Sequence, residues 1–188
     1  MRVMGIDPGI SHTGFGVVDV DERGCLTHVT CGSIHPPARI PFVDRLLRIH
    51  LQTNALFQEH GPQQLAMEQV FFARNPRSAL VLGQARGVVL LSAGLAGIPV
   101  FEYAATEAKK AVCGYGGAEK RQVGVMVRAL LGLKMEMTEH AADALALCIC
   151  HAHTYRGQQA RGTASREAGQ SARQRCRRTK PRPGEGIP

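Results

Sequence analysis

The sequence predicts an α/β domain, and three observations carry that expectation. Residues 2–7, 14–19 and 25–34 are short apolar or alternating segments separated by turn signals near the N-terminus. A longer segment with apolar residues at helical spacing follows. From there strand-like and helix-like segments alternate, which is the pattern of a sheet with helices on its faces.

Each element has its own signal. The first strand, 2–7, ends at Asp7-Pro8-Gly9, a turn sequence. Gly14 to Asp19 is the second strand and 25–34 the third, and the short breaks between them suggest an antiparallel meander. Pro36-Pro37 interrupts the chain, and Phe42, Leu46, Ile49, Leu56 and Phe57 then mark a helix from Pro41 to His60. Gly61-Pro62 stops it, and Leu65 to Val70 returns to strand.

Asn75-Pro76 is a helix start, with Asn as cap and Pro at the first helical position, and the helix runs to about Ala96. Ala79, Gly83 and Gly87 recur every four residues in it, a smooth stripe suited to close approach by another backbone, in the same chain or in a partner. Pro99 to Tyr103 is the fifth strand. Thr106 is expected to cap a short helix ending near Cys113, and Gly114 to Gly117 is a loop. Ala118 to Leu131 is a helix with Val123, Val127 and Leu130 inward, and Thr138 caps a last helix to about His153.

Charge divides the chain. Of the net +8, residues 156–188 carry +7, from nine basic and two acidic side chains, and residues 1–155 carry +1. The expectation is a nearly neutral domain over 1–155 and a basic, disordered tail over 156–188, poor in large apolar residues. The apolar run at the N-terminus is too short for a signal peptide. The longest uncharged stretch, Gly87 to Phe101, has 15 residues and is broken by glycine and proline. A membrane span needs about 20, so a protein of the cytoplasm with no membrane partner is expected. Six cysteines without an export signal suggest free thiols in a reducing compartment. Cys148-x-Cys150-His151-x-His153 reads as the end of a buried helix rather than a metal site, because alanine, leucine and isoleucine precede it.

Ionisable groups in apolar surroundings are the candidates for chemistry. Asp7 ends a strand that reads as buried; it either caps the Pro-Gly turn or serves a site. Glu68 interrupts an apolar strand, where glutamate is unfavourable unless that face is the exposed one of an edge strand. Asp143 lies in the segment Ala141–Cys150, otherwise apolar on every side, and a buried carboxylate is costly unless paired or metal-bound. His140 precedes it by three residues and shares its helical face. Three carboxylates suit Mg²⁺ or Mn²⁺, and an added imidazole shifts the balance toward Mn²⁺. Such sites commonly hold two ions that act on a phosphodiester.

Six motifs then carry a resemblance. Gly5-Ile6-Asp7-Pro8-Gly9, Glu68-Gln69-Val70-Phe71, Gly83-Gln84-Ala85-Arg86-Gly87, Val100-Phe101-Glu102-Tyr103-Ala104, Ala118-Glu119-Lys120 and His140-Ala141-Ala142-Asp143-Ala144-Leu145 stand in the order found in the bacterial RuvC family, which this chain resembles from residue 2 to about 153. The resemblance implies an RNase H-like fold, a five-stranded mixed sheet flanked by helices. It implies a homodimeric endonuclease that nicks opposing strands of a four-way (Holliday) junction, leaving 5′-phosphate and 3′-hydroxyl ends in recombination and repair. RuvA and RuvB, the branch-migration proteins, are the expected partners.

The same resemblance assigns the metal site to Asp7, Glu68, Asp143 and position 140. Many relatives have aspartate there; His140 is either a ligand, the favoured reading, or a group that orients or deprotonates water. It also implies dimerisation partly through the Asn75–Ala96 helix, DNA-base contact by Phe71 and more weakly Phe72, and phosphate contact by Lys109 and Lys120, with Arg74, Lys110 and Arg121 as further candidates. A Gly-Ile-Asp start with a Gly-rich hairpin also opens actin-like ATPases and sugar kinases, but those need two large lobes. A catalytically silent junction-binding protein is a further alternative, disfavoured because every expected carboxylate is present.

Overall fold

The first strand alternates between two different cores. Val3 packs on one face of the sheet, while Met4 and Ile6 pack on the other. Its neighbour repeats the pattern, with Ala66 on the first face and Leu65 and Met67 on the second. This is the two-residue period of a strand buried on both sides. Met4, Ile6, Leu65 and Met67 are fully buried, and each such side chain contributes roughly 1.5–3 kcal/mol.

The computed structural model describes residues 1–69 and 76–155. The strands are β1 (Arg2–Asp7), β2 (Thr13–Val20), β3 (Leu26–Ile34), β4 (Gln64–Glu68) and β5 (Val100–Tyr103). The helices are α1 (Phe42–His60), α2 (Pro76–Leu95), α3 (Ala105–Cys113) and α4 (Lys120–Leu131), with α5 described over 139–155. The sheet order is β3-β2-β1-β4-β5. β1, β2 and β3 pair antiparallel, as the meander predicted, and β4 and β5 run parallel to β1. The sheet is therefore mixed, with five strands. α1 and α2 cover the Met4/Ile6 face; α3, α4 and α5 cover the Val3 face. Met1–His153 form one compact unit. The expected tail, 156–188, lies outside the described residues.

Several local expectations need correction. Thr106 does not cap α3. The helix already begins at Ala105, and Glu107 closes its start by accepting the Ala104 N–H at 2.8 Å. Leu130 is 44% exposed. It lies in the last turn of α4, where Leu131 and Leu133 pack against the core instead. The helix-start cap Asn75 lies outside the described residues. Among the described residues the stripe on α2 meets no other backbone: a Cβ at Gly83 or Gly87 would have open space within 4 Å.

α2 is long and apolar enough by composition to cross a membrane. Here Ala85, Val89, Ser92 and Ala93 of α2 bury against the sheet. Its Arg86 pairs with Glu102 of β5. The helix therefore serves as one layer of the domain and leaves an apolar face outward.

Candidate active site

The register of β1 and β4 builds half the site. Ile6 pairs with Met67 in the parallel ladder, so the next residues, Asp7 and Glu68, stand side by side at the two strand ends. Asp7 follows Val3 by four residues and Glu68 follows Ala66 by two, so both emerge on the face covered by α3, α4 and α5. Glu68 thus belongs to an interior strand, between β1 and β5. An exposed edge does not explain its place in an apolar run.

α5 supplies the other half. Thr138 opens it, with Oγ1 accepting the Ala141 N–H at 3.2 Å. Two glycines let it lie close on the sheet. A Cβ at Gly5 would overlap the Ala144 carbonyl oxygen, and one at Gly14 would overlap the His140 carbonyl. With α5 held there, His140 Nδ1 lies 3.1 Å from Asp7 Oδ2. Cys148, Cys150 and His151 are buried further along the same helix, as the apolar sequence before them predicted.

Asp7, Glu68 and Asp143 line one open cleft of about 280 Å³, together with Lys109 and Lys120. Lys120 Nζ lies 3.6 Å from Asp143 Oδ2 and 3.9 Å from Glu139 Oε2. His140 is not a wall of the cleft; it reaches the site through Asp7. Burial pushes the Asp7 carboxyl above the usual range, and Asp143 adds to the rise against the opposing pull of His140 and Lys120. Burial also raises Glu68, helped by Asp7 and Asp143 and opposed by Lys120 and Lys109. The two lysines therefore do not neutralise the cluster.

Converging carboxylates under mutual repulsion fit a divalent cation with oxygen ligands. Among the described residues, no three Asp, Glu, His or Cys side chains already form a cage around one point. The fit therefore rests on donor chemistry and charge.

Other expected contacts separate. Lys110 is exposed on α3, outside the cleft wall. Arg121 lines a different groove, with Tyr115, Gln122, Val125 and Met126. Phe71, Phe72 and Arg74 lie outside the described residues. Sequence reasoning assigned no role to His12, whose ring stacks on His140 with centroids 5.1 Å apart and planes 10° apart. Its only sequence signal is its place in the hairpin after Asp7. The Arg86–Glu102 pair shows why two of the six motifs go together: it ties α2 to β5, on the opposite face of the sheet from the three carboxylates.

The family described as "Crossover junction endodeoxyribonuclease RuvC" matches residues 3–151. This chain belongs to the RuvC family. A family member from Paramagnetospirillum magneticum is 49% identical over 160 residues, 85% of this chain and 95% of the relative. One from Syntrophomonas wolfei is 45% identical over 157 residues, 83% and 91% of the two chains. Thermus thermophilus RuvC superposes with a TM-score of 0.76 at 38% identity, covering 84% of this chain and 97% of that one. The same protein in complex with Holliday junction substrate gives 0.79 at 38% identity, over 84% and 96%. The yeast mitochondrial resolvase Ydc2 shares the fold at 10% identity and a TM-score of 0.58, over 80% of this chain and 78% of that one. The fold is of the RNase H-like type.

Proposed function

We propose that this chain resolves four-way DNA junctions as a divalent-metal-dependent endonuclease, with Asp7, Glu68 and Asp143 holding the metal. Membership of the crossover junction endodeoxyribonuclease family supports the substrate class. The observation that carries the chemistry is the convergence of Asp7, Glu68 and Asp143 on one cleft, the first two at the neighbouring ends of β1 and β4. Mg²⁺ or Mn²⁺, as two ions, would supply the positive charge that activates water and stabilises the departing oxygen.

The chain's own groups do the rest. His140 takes part through its ring: with Nδ1 on Asp7, Nε2 remains for the metal or for a proton. Lys109 and Lys120, at the cleft, draw in the scissile phosphate and hold it by charge. Attack by water in line with the 3′-oxygen breaks that P–O bond and leaves 5′-phosphate and 3′-hydroxyl ends. Phe71 and Phe72 follow Glu68 after Gln69 and Val70, and stacking on unpaired bases near the crossover suits them; Arg74, Lys110 and Arg121 add phosphate contacts. A homodimer, paired through the outward face of α2, presents two such sites to opposing strands. The work is done in the cytoplasm, in recombination and repair, with RuvA and RuvB as partners.

The test is a labelled four-way junction incubated with the protein, with and without Mn²⁺. Paired nicks that need the metal are expected, and Asp7→Asn or Asp143→Asn should abolish them while junction binding survives. Absence of metal-dependent cutting, or equal loss of binding and cutting in both variants, overturns the reading.

A further inference from the structure

Three imidazoles from three parts of the chain form a column that ends on the active-site aspartate. His35 follows β3, His12 lies in the hairpin between β1 and β2, and His140 opens α5. His35 meets His12 edge-on, with centroids 4.8 Å apart and planes at 85°. His12 lies parallel to His140, 5.1 Å away and tilted by 10°. His140 then places Nδ1 3.1 Å from Asp7 Oδ2.

The need for such a column follows from the position of His140. Its side chain is 37% exposed in the first turn of a helix. A single hydrogen bond from Nδ1 would otherwise be all that holds this half-exposed ring against rotation of its side-chain torsions. A second ring stacked on its face removes that freedom and sets the direction of Nε2. Offset stacking and edge-to-face contact are the two favoured aromatic geometries, and the column uses one of each. His12 and His35 are themselves exposed. Their burial in a core does not account for the arrangement.

We propose that His12 is a positioning residue: braced by His35, its ring holds the His140 imidazole with Nδ1 on Asp7 and Nε2 in a fixed direction. The inference rests on the endonuclease reading for its consequence in cutting, though the ring geometry stands by itself. It requires a flat aromatic ring at position 12. A titrating group there is unnecessary, so phenylalanine serves in place of histidine and alanine does not.

The experiment compares wild type, His12→Ala and His12→Phe by two measurements. One is single-turnover cleavage of a four-way junction in Mn²⁺, alongside junction affinity without metal. The other is the ¹⁵N spectrum of the His140 ring in the metal-free protein, which reports the tautomer. His12→Ala is expected to cut roughly tenfold more slowly, by misorientation of a reacting group, with affinity unchanged. Its His140 signals should move toward the average of the two tautomers. His12→Phe should restore both the rate and the spectrum. Wild-type cutting by His12→Ala, failure of His12→Phe to rescue, or a His140 spectrum unchanged in His12→Ala each overturns the proposal. Should the wild-type protein cut no better than Asp7→Asn, the endonuclease reading fails instead, and the spectrum alone decides the role of His12.

Discussion

Gly5 of β1 lies against the carbonyl oxygen of Ala144 in α5, with no room for a Cβ between them. The contact sets how closely α5 approaches the sheet, and with it where His140 and Asp143 stand relative to Asp7. In Gly5→Ala the helix must move, because the atom it meets is backbone and has no rotamer to change. Overpacking of this kind costs about 1–3 kcal/mol, and each kcal/mol lowers Tm by roughly 2–4 °C at this chain length. Displacing reacting groups by about 1 Å can cost 10²-fold in rate. Gly5→Ala should therefore melt several degrees lower and cut junctions far more slowly than its lost stability explains. Wild-type cutting at a temperature where the variant is fully folded would argue against this use of the contact.

Glu68 carries the opposite trade. Its carboxyl is raised by burial and by Asp7 and Asp143, so the folded protein holds that proton more tightly than the unfolded chain. Stability from this group therefore falls as pH rises from the ordinary carboxylate range through the raised value. Above that value the ionised side chain sits at a constant cost. Glu68→Gln removes the charge and keeps the shape. In EDTA at pH 7.5 it should melt a few degrees above wild type while losing cleavage, as expected where function strains the fold. Added Mn²⁺ should stabilise wild type more than the variant. A lower melting temperature in EDTA for Glu68→Gln would contradict the electrostatic account.

His151 gives a pH dependence of the other sign. It is fully buried, with Nε2 2.6 Å from Gln64 Oε1 and Nδ1 2.7 Å from the Tyr103 hydroxyl. A neutral ring satisfies both, with Nε2–H donating to Gln64 and Nδ1 accepting from Tyr103. Burial holds its pKa down to about 4. A depressed histidine stabilises fully above the unfolded value near 6.5, and that stability is lost as pH falls toward 4. Urea unfolding from pH 7.5 to 4.5 should show this loss, with a slope approaching one proton. The difference between wild type and His151→Gln isolates it, and parallel profiles for the two would exclude the assignment.

Much of this arrangement was legible in the sequence because it depends on period and register. The apolar run of residues 2–7 marks β1 as a buried strand, and the apolar run around Glu68 marks that carboxylate as anomalous. Asp143 was visible as the one charge in the apolar run from Ala141 to Cys150. What could not be read was distance between elements. Gly5 and Gly14 are ordinary strand glycines until α5 lies on them. His12 has no periodic or compositional mark, and its stack on His140 joins residues 128 positions apart in number. Leu130 fits the helical repeat of Val123 and Val127, yet it is exposed because the chain ends the helix and packs Leu131 and Leu133.

The outward face of α2 supports a last prediction, on assembly. Leu80 and Leu91 are 70% and 59% exposed, and between them Gly83 and Gly87 have open space where a Cβ would stand. Residues 80, 87 and 91 share one helical face. An apolar, low-relief surface of this kind on a helix anchored by Arg86 to Glu102 suits a second copy of the same helix better than water. Leu91→Arg alters a side chain already in solvent, so each subunit should keep its fold, as its circular dichroism reports. Sedimentation velocity should show wild type as a dimer and Leu91→Arg shifted toward monomer at micromolar concentration. Cleavage should change from paired nicks to single ones if, as proposed above, each subunit of the dimer cuts one strand. A variant that still sediments as a dimer would place the interface elsewhere.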